Sequence, residues 1–597
     1  MPADVKRRIL KEVFGFDDFR PGQERVFDAL LAGRNVLAVM PTGSGKSLCY
    51  QLPALVRGGL TVVVSPLLAL MQDQVSALRL AGVAVEATNS SKTRAENIAS
   101  WRRVTAGEIR LLYMAPERLM TEPMLKALTK LDLRLIAIDE AHCISQWGPS
   151  FRPEYEALSR LSEIFPRVPI IALTATADAT TRADISTKLF AGHVEPIVLG
   201  FDRPNIRLIV EPKHHSPKQL LAFLKAHSGR SGIVYCLSRH KTEETAKLLV
   251  ANGFHALPYH AGMTRQDREG NQNRFMTETA VVMVATIAFG MGIDKPDVRF
   301  VFHADLPGSM EAYYQEIGRA GRDGEPAEAH MLFGLEDMRM RRRFIDEEDS
   351  NDERKRREHQ RLDALLGFCE TAACRRQVLL SWFGEKIAPC GNCDNCLNPA
   401  AVVDRSGDGR MILSVIKRTG ERYGAARVME ILLDGDNGEP EAAAVFSGRT
   451  STELRALIRQ LIAGGFLDVD ISRYGGLKLS DKGLALLRGD AAFHFRAAPP
   501  RGTKKEARQR RAAELEEPEA SLLDALKQLR LSLAKQRRIA AYLIFSDRTL
   551  IEMAKCRPRD VTEFAQISGV GAKKLEEFAA QFLAAIRNHQ GDKSPTP

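Results

Sequence analysis

The 597-residue chain has no apolar run approaching the ~18 residues that a membrane-spanning helix needs, so it reads as a soluble protein. Its first residues, Met1-Pro2-Ala3-Asp4-Val5-Lys6-Arg7-Arg8, mix acid and base without the apolar centre of a signal peptide, which argues against secretion. Nine cysteines are too few and too unevenly spread for a secreted disulfide framework. Five of them (Cys49, Cys143, Cys236, Cys369, Cys556) stand apart, while Cys374, Cys390, Cys393 and Cys396 crowd together. There is no tandem repeat. Charge of one sign is in small excess: 85 Lys and Arg against 75 Asp and Glu leave a formal +10, a weak lean towards a polyanionic partner.

What is present is ordinary globular material, 44% hydrophobic and 27% charged, and at roughly 150 residues per domain the length suggests about four domains. Short β-branched runs alternate with turn signals and helical patterns through the first half, an α/β grammar. Strands are expected at Val36–Met40, Thr61–Val64, Leu135–Ile138 and Ile170–Leu173, then at Ile233–Cys236, Val281–Ala285 and Arg299–Phe302. All are apolar on both faces, as buried parallel strands are. Gly200-Phe201-Asp202-Arg203-Pro204-Asn205 separates the two sets as a hinge between lobes.

A charged helical stretch, Met338 to Arg361, leads to the cysteine cluster. Residues 409–488 then show three amphipathic helical patterns, the third opened by a capping box of Thr450 and Glu453. A hairpin follows, alternating Leu467, Val469 and Ile471, turning at Tyr474-Gly475-Gly476 and returning through Leu477 and Leu479, which suggests a winged helix. Residues 496–511 carry seven Lys or Arg against one Glu and read as a flexible basic linker; Leu522 to Ile586 is helical again, enough for one small bundle.

The strongest motif is Met40-Pro41-Thr42-Gly43-Ser44-Gly45-Lys46-Ser47, between a strand and a helix. Backbone N–H groups of such a loop wrap phosphate oxygens, the Lys46 ammonium meets the β- and γ-phosphates, and Ser47 offers a hydroxyl to Mg²⁺. Met40 stands where the general pattern has its first glycine. Asp139 and Glu140 close another strand, where Asp139 suits Mg²⁺ and Glu140 suits the attacking water; paired with the loop they imply an ATPase. Gln315, Arg319 and Arg322 lie at i, i+4 and i+7 and share one face if helical, which suits an arginine finger from a second lobe or a plain basic surface. The spacing Cys374-x15-Cys390-x2-Cys393-x2-Cys396 suits one structural Zn²⁺, with redox thiols or disulfides as the alternatives. Arg455 and Arg459, four apart on the third helix, face either solvent or duplex phosphates. Gly569-Val570-Gly571 with Lys573 and Lys574 offers N–H groups to a phosphate or forms a packing turn.

Taken together these motifs resemble a superfamily 2 helicase of the RecQ family over nearly the whole chain. Phe16 to Gln23 resembles that family's adenine-reading segment, which implies Phe16 as the stacking ring, Gln23 as the base-edge reader and Arg20 in support. Ser65-Pro66-Leu67 with Gln74, and Tyr113 to Arg118, resemble segments that approach the DNA strand. Asp139-Glu140-Ala141-His142 runs into Cys143 to Pro153, similar to the aromatic-rich loop that couples DNA contact to hydrolysis through Gln146, Trp147, Phe151 and Arg152. Here Pro149-Ser150 replaces the family's His-Asp. Thr174-Ala175-Thr176-Ala177, Tyr235-Cys236 with Ser238-Arg239, His260-Ala261-Gly262 and Ala285 to Gly292 complete the resemblance. The cysteines match the family's zinc module and the last helices its HRDC domain.

The resemblance implies two RecA-like parallel-sheet lobes (1–200 and 201–335), a zinc-binding helical module (336–403), a winged helix (404–495), the linker (496–518) and an all-α HRDC bundle (519–597). It implies an ATP- and Mg²⁺-dependent helicase with one structural Zn²⁺, moving 3′ to 5′ on single-stranded DNA and unwinding duplex DNA in recombination, replication-fork processing, repair and the SOS response. Tyr474 would be the wedge at the fork. A monomer in the cytoplasm, associated with the nucleoid, with single-strand-binding protein and topoisomerase as partners and no membrane, belongs to the same implication. An ATP-gated DNA-remodelling factor that never separates strands is the alternative, and an RNA helicase shares the two lobes.

Overall fold

Strands apolar on both faces need helices on both sides, and this chain supplies them. The computed structural model describes residues 3–66, 68–88, 93–145, 152–177, 179–289, 295–348, 352–434, 444–446, 448–470, 476–497, 517–537 and 539–591. In the first lobe β1 (Val36–Val39), β2 (Leu60–Val64), β3 (Val85–Thr88), β4 (Leu111–Met114), β5 (Leu133–Ile138), β6 (Ile170–Thr174) and β7 (Glu195–Val198) form one sheet in the order β3-β4-β2-β5-β6-β1-β7. In the second, β8 (Ile206–Pro212), β9 (Gly232–Tyr235), β10 (Ala256–Tyr259), β11 (Val282–Ala285), β12 (Phe300–His303) and β13 (Ala327–Phe333) run β10-β11-β9-β12-β13-β8. Every pairing in both sheets is parallel. All seven expected strands are present. Because β5, β6 and β1 are neighbours, their C-terminal ends bring Asp139, Thr174 and the Met40–Ser47 loop into one row, the edge at which open α/β sheets bind ligands.

The hinge is braced rather than loose. Phe201 stacks on Phe383 with ring centroids 4.7 Å apart, the Tyr314 hydroxyl donates to the Phe201 carbonyl at 2.8 Å, and Arg376 pairs with Asp202 at 2.9 Å. The cysteine-bearing module thus holds the hinge from one side, and Cys393 also bridges to Leu208 of β8. The charged stretch forms helices Leu335–Glu347 and Asp352–Glu370. Beyond the cysteines come helices Ser406–Arg418, Ala425–Asp434 and Ser451–Ala463, the last with both halves of the Thr450–Glu453 capping box, and an antiparallel hairpin of Leu467–Asp470 with Gly476–Leu479. Residues 471–475, Tyr474 included, and linker residues 498–516 lie outside the described residues. One apolar cluster runs from the first lobe through these helices, whereas Glu517–Arg537 to Ala572–Gly591 enclose a core of their own.

One expectation changes here. Arg455 is exposed, but Arg459 on the same helix is buried, ion-paired with the equally buried Glu370 and 4.9 Å from the centroid of Phe333. The helix turns its Arg459 side inwards to fasten itself to Asp352–Glu370 and β13, so Arg459 is a brace and not a phosphate contact. Removing one partner of a buried pair strands the other's charge. Arg459→Ala should therefore cost about 3–5 kcal/mol in urea unfolding; unchanged stability with weakened duplex binding would return Arg459 to the DNA face.

Candidate active site and metal centre

The loop after β1 turns through Gly43 and Gly45, both at positive φ (76° and 81°). A Cβ on Gly45 would meet the Gln23 amide nitrogen at 2.7 Å, so the backbone here is bare as well as left-handed, as a phosphate cradle requires. Lys46 lies back across the loop, its ammonium donating to the carbonyls of Met40 (3.3 Å) and Pro41 (3.4 Å), and Ser44 Oγ donates to Pro41 O at 2.7 Å. Ser47 is the N-cap residue of helix Leu48–Arg57. Phe16 is 38% exposed. Gln23, expected to read a base edge, is buried: its Nε2 donates to the carbonyls of Ser44 and Gly45, both at 3.1 Å, while Oε1 accepts the Arg20 N–H at 2.9 Å. In this structure Gln23 braces the loop.

Asp139 is half-buried. Burial pushes its carboxyl up to about 7, with Glu140 adding to the rise and Lys46 opposing it. Such a carboxyl is stabilised by a nearby cation, which fits Asp139 and Ser47 to Mg²⁺. Glu140 sits in left-handed backbone (φ 50°), costly for a non-glycine residue and typical of positions where aim matters. Its carboxylate lies 3.4 Å from His142 Nδ1, which also meets Thr174 Oγ1 at 3.0 Å; His142 Nε2 lies 3.4 Å from Gln315 Nε2, and that nitrogen donates to Thr176 Oγ1 at 2.6 Å. Burial pushes His142 below its usual range, so at neutral pH it is an uncharged link between the Glu140 carboxylate and the second lobe.

The expected common helix for Gln315, Arg319 and Arg322 is not what forms. Helix Met310–Ile317 ends at Gly318, and residues 318–322 are turns. Arg322 still reaches the loop: a methyl group on Gly43 would lie 3.4 Å from Arg322 Cα, and Thr42 Oγ1 donates to Gly318 O at 2.9 Å. Arg319 is buried beside Tyr235. Arg203 of the hinge, which carried no signal beyond its place before Pro204, donates into the same junction.

The last helices dock beside this cleft. The Gly569 N–H donates to the Gly15 carbonyl at 2.7 Å, so the Gly-Val-Gly turn is the packing turn. A cavity of about 450 Å³ is lined by Phe16, Arg20, Arg322, Arg548 and Lys574. Burial pushes Lys574 down to about 8, and Lys573 is exposed and paired with Glu576 at 3.0 Å. Lys574 thus shares a cavity with Phe16, Arg20 and Arg322, the residues expected at the base and phosphates of ATP, and not with those expected on DNA. Arg152 donates to Pro66 O at 3.3 Å, while Gln146, Trp147 and Phe151 lie outside the described residues.

The four clustered cysteines place their sulfurs within 4.8 Å of one another, as a tetrahedral Zn²⁺ with Zn–S near 2.3 Å demands. Cys374 is the N-cap of helix Arg375–Trp382; burial pushes its thiol up, but N–H groups of Cys390 and Gln377 more than offset this and leave it at about 7. Arg375, wholly buried, forks onto Asp394 at 2.9 and 3.1 Å and holds the cysteine loop to its helix.

Comparison with known proteins follows the same division. Residues 20–185 match the DEAD/DEAH box helicase family, 215–324 the helicase conserved C-terminal domain, 335–397 the RecQ zinc-binding family, 399–504 the RQC domain and 519–586 the HRDC domain. The chain is 41% identical over 592 residues to the protein named ATP-dependent DNA helicase RecQ of Haemophilus influenzae, covering 98% of this chain and 96% of that one. The proteins of that name from Pasteurella multocida (41% over 595 residues; 98% and 93% covered) and Bacillus subtilis (35% over 590; 97% and 98%) are similar along their whole length. Cys393→Ser should drop the metal content of the purified chain from about one zinc to near none and lower its folded yield, since site formation is folding energy. A full zinc complement in that variant contradicts the four-thiolate site.

Proposed function

The chain belongs to the RecQ family of ATP-dependent DNA helicases, and from that premise we propose that it moves 3′ to 5′ along one DNA strand and parts the duplex ahead of it. The observation that carries the reading is the junction of the two lobes: Arg322 of the second stands at Gly43 of the phosphate loop in the first. Hydrolysis then depends on both lobes together, which makes a motor of an ATPase.

Bound Mg²⁺-ATP supplies the phosphoryl group to be transferred and the divalent charge beside it. Gly43 and Gly45 N–H groups and Lys46 cradle the phosphates, Asp139 and Ser47 hold the metal, and Glu140 orients a water and accepts its proton. Arg319 and Arg322 add fixed positive charge that no working pH removes. Gln315, through His142, carries the state of the second lobe to Glu140. Phe16 and Arg20 form the base side of the pocket. The Zn²⁺ is structural, because four thiolates leave no open position.

On this reading the strand path follows Pro66, Arg118 and Arg152 on the first lobe, Gln146, Trp147 and Phe151 are assigned to the same strand from the sequence, Arg455 holds duplex, and the hairpin near Tyr474 is the wedge at the fork. Roles in recombination, fork processing and repair, and work in a bacterial cytoplasm on the nucleoid with single-strand-binding protein and topoisomerase, belong to the same reading. Among the described residues no helix is long and apolar enough to cross a membrane. Strand-displacement assays with ATP should show unwinding of 3′-tailed DNA and little of 5′-tailed DNA or 3′-tailed RNA. DNA-stimulated ATP turnover without displacement of any of the three would leave the remodelling factor instead.

A further inference from the structure

Where a helix stops, the turn that follows carries carbonyls outside the helical ladder, and their partners must come from elsewhere. Helix Met310–Ile317 stops at Gly318, four residues before Arg322, and the carbonyls exposed in the turn face the hinge. One side chain collects them. Arg203 Nη2 donates to Ala320 O at 2.9 Å and Gly321 O at 2.8 Å, and Nη1 to Gly318 O at 3.3 Å. The same Nη1 reaches the phosphate loop, donating to Thr42 O at 2.7 Å and Thr42 Oγ1 at 3.1 Å. Asn205, two residues on, adds bonds to Gly321 O (2.8 Å) and Glu325 O (2.9 Å). A side chain on Gly318 would collide with Thr42 Oγ1, so the turn and the loop are in contact here. Burial pushes Arg203 down to about 10, leaving it a cation at neutral pH.

On the reading of a two-lobed ATP motor given above, we infer that Arg203 is a positioning residue for hydrolysis: its guanidinium fork sets the register between the phosphate loop and the turn that carries Arg319 and Arg322. It comes from neither partner of the closure but from the hinge between them. Its two nitrogens bond loop and turn at once, so Arg322 stands at Gly43 only when hinge, loop and turn are locked together. A lysine at this place keeps the charge but has one nitrogen, which can replace Nη1 at Thr42 and Gly318 but not also Nη2 at Ala320 and Gly321.

The test is DNA-stimulated ATP turnover by the full-length chain carrying Arg203→Lys or Arg203→Gln, with zinc content, thermal midpoint and binding of a fluorescent ATP analogue measured on the same samples. Both variants should keep zinc, midpoint and nucleotide affinity near wild type while kcat falls roughly 10- to 100-fold with KM little changed, and lysine should not rescue. In an Arg322→Lys background, single-turnover hydrolysis should fall little further on adding Arg203→Lys, because the group being positioned is already impaired. Wild-type turnover in Arg203→Lys, a defect confined to KM, or a defect that multiplies with Arg322→Lys overturns the inference. If Arg203→Gln loses its fold, Arg203→Lys decides; a lysine variant that also unfolds overturns the inference, since the role is then structural. Failure of the wild-type chain to hydrolyse ATP with DNA would instead sink the motor reading itself.

Discussion

The arrangement depends on the backbone carbonyls of the turn that follows one helix. Helix Met310–Ile317 ends early, and the carbonyls of Gly318, Ala320 and Gly321 bond to Arg203 and Thr42 rather than to water. The expected phosphate and arginine residues lie within a few positions of that contact: Thr42 belongs to the phosphate loop, and Arg319 and Arg322 to the turn. Had the helix run on through Arg322, its carbonyls would have been spent internally and the two lobes would share no such seam. The strand order does the complementary work in the first lobe by ranking β5, β6 and β1 side by side.

Electrostatics at the seam follows from what burial does to each group. The Asp139 carboxyl is held up near 7 by loss of water and by Glu140, so positive charge at this edge is stabilising in a way it would not be in solvent. His142 is held neutral by the same burial, which lets it join Glu140 to Gln315 without adding a second cation beside Lys46. The motor thus keeps its permanent charges on arginines and uses the histidine as an uncharged spacer.

Much of this was legible in the residues. The seven anticipated strands were visible because they are apolar throughout, and the capping box of Thr450 and Glu453 formed as its spacing implies. Among the strands that were missed, β3 carries Glu86, satisfied by Ser100 and Arg103, β10 contains Pro258 and β13 holds the buried His330, whereas β4 is apolar throughout and was equally legible. Periodicity does not reveal partners that lie elsewhere in the chain. The same holds at the site. The phosphate loop and the cysteine cluster announce themselves by spacing, but Arg203 and the inward turn of Arg459 depend on contacts 115 and 89 residues away, to Gly318 and Glu370. Lys574 was expected at a DNA phosphate and instead lines the cavity with Phe16 and Arg20, because the turn before its helix docks at Gly15.

The central claim is that hydrolysis in the first lobe needs an arginine supplied by the second. Single-turnover ATP hydrolysis by Arg322→Ala on saturating DNA, alongside ATP affinity, tests it most directly. The account predicts a rate loss on the order of 10³ or more with affinity held within about threefold of wild type. Wild-type hydrolysis, or a loss of ATP affinity with hydrolysis of the bound nucleotide unimpaired, would contradict it.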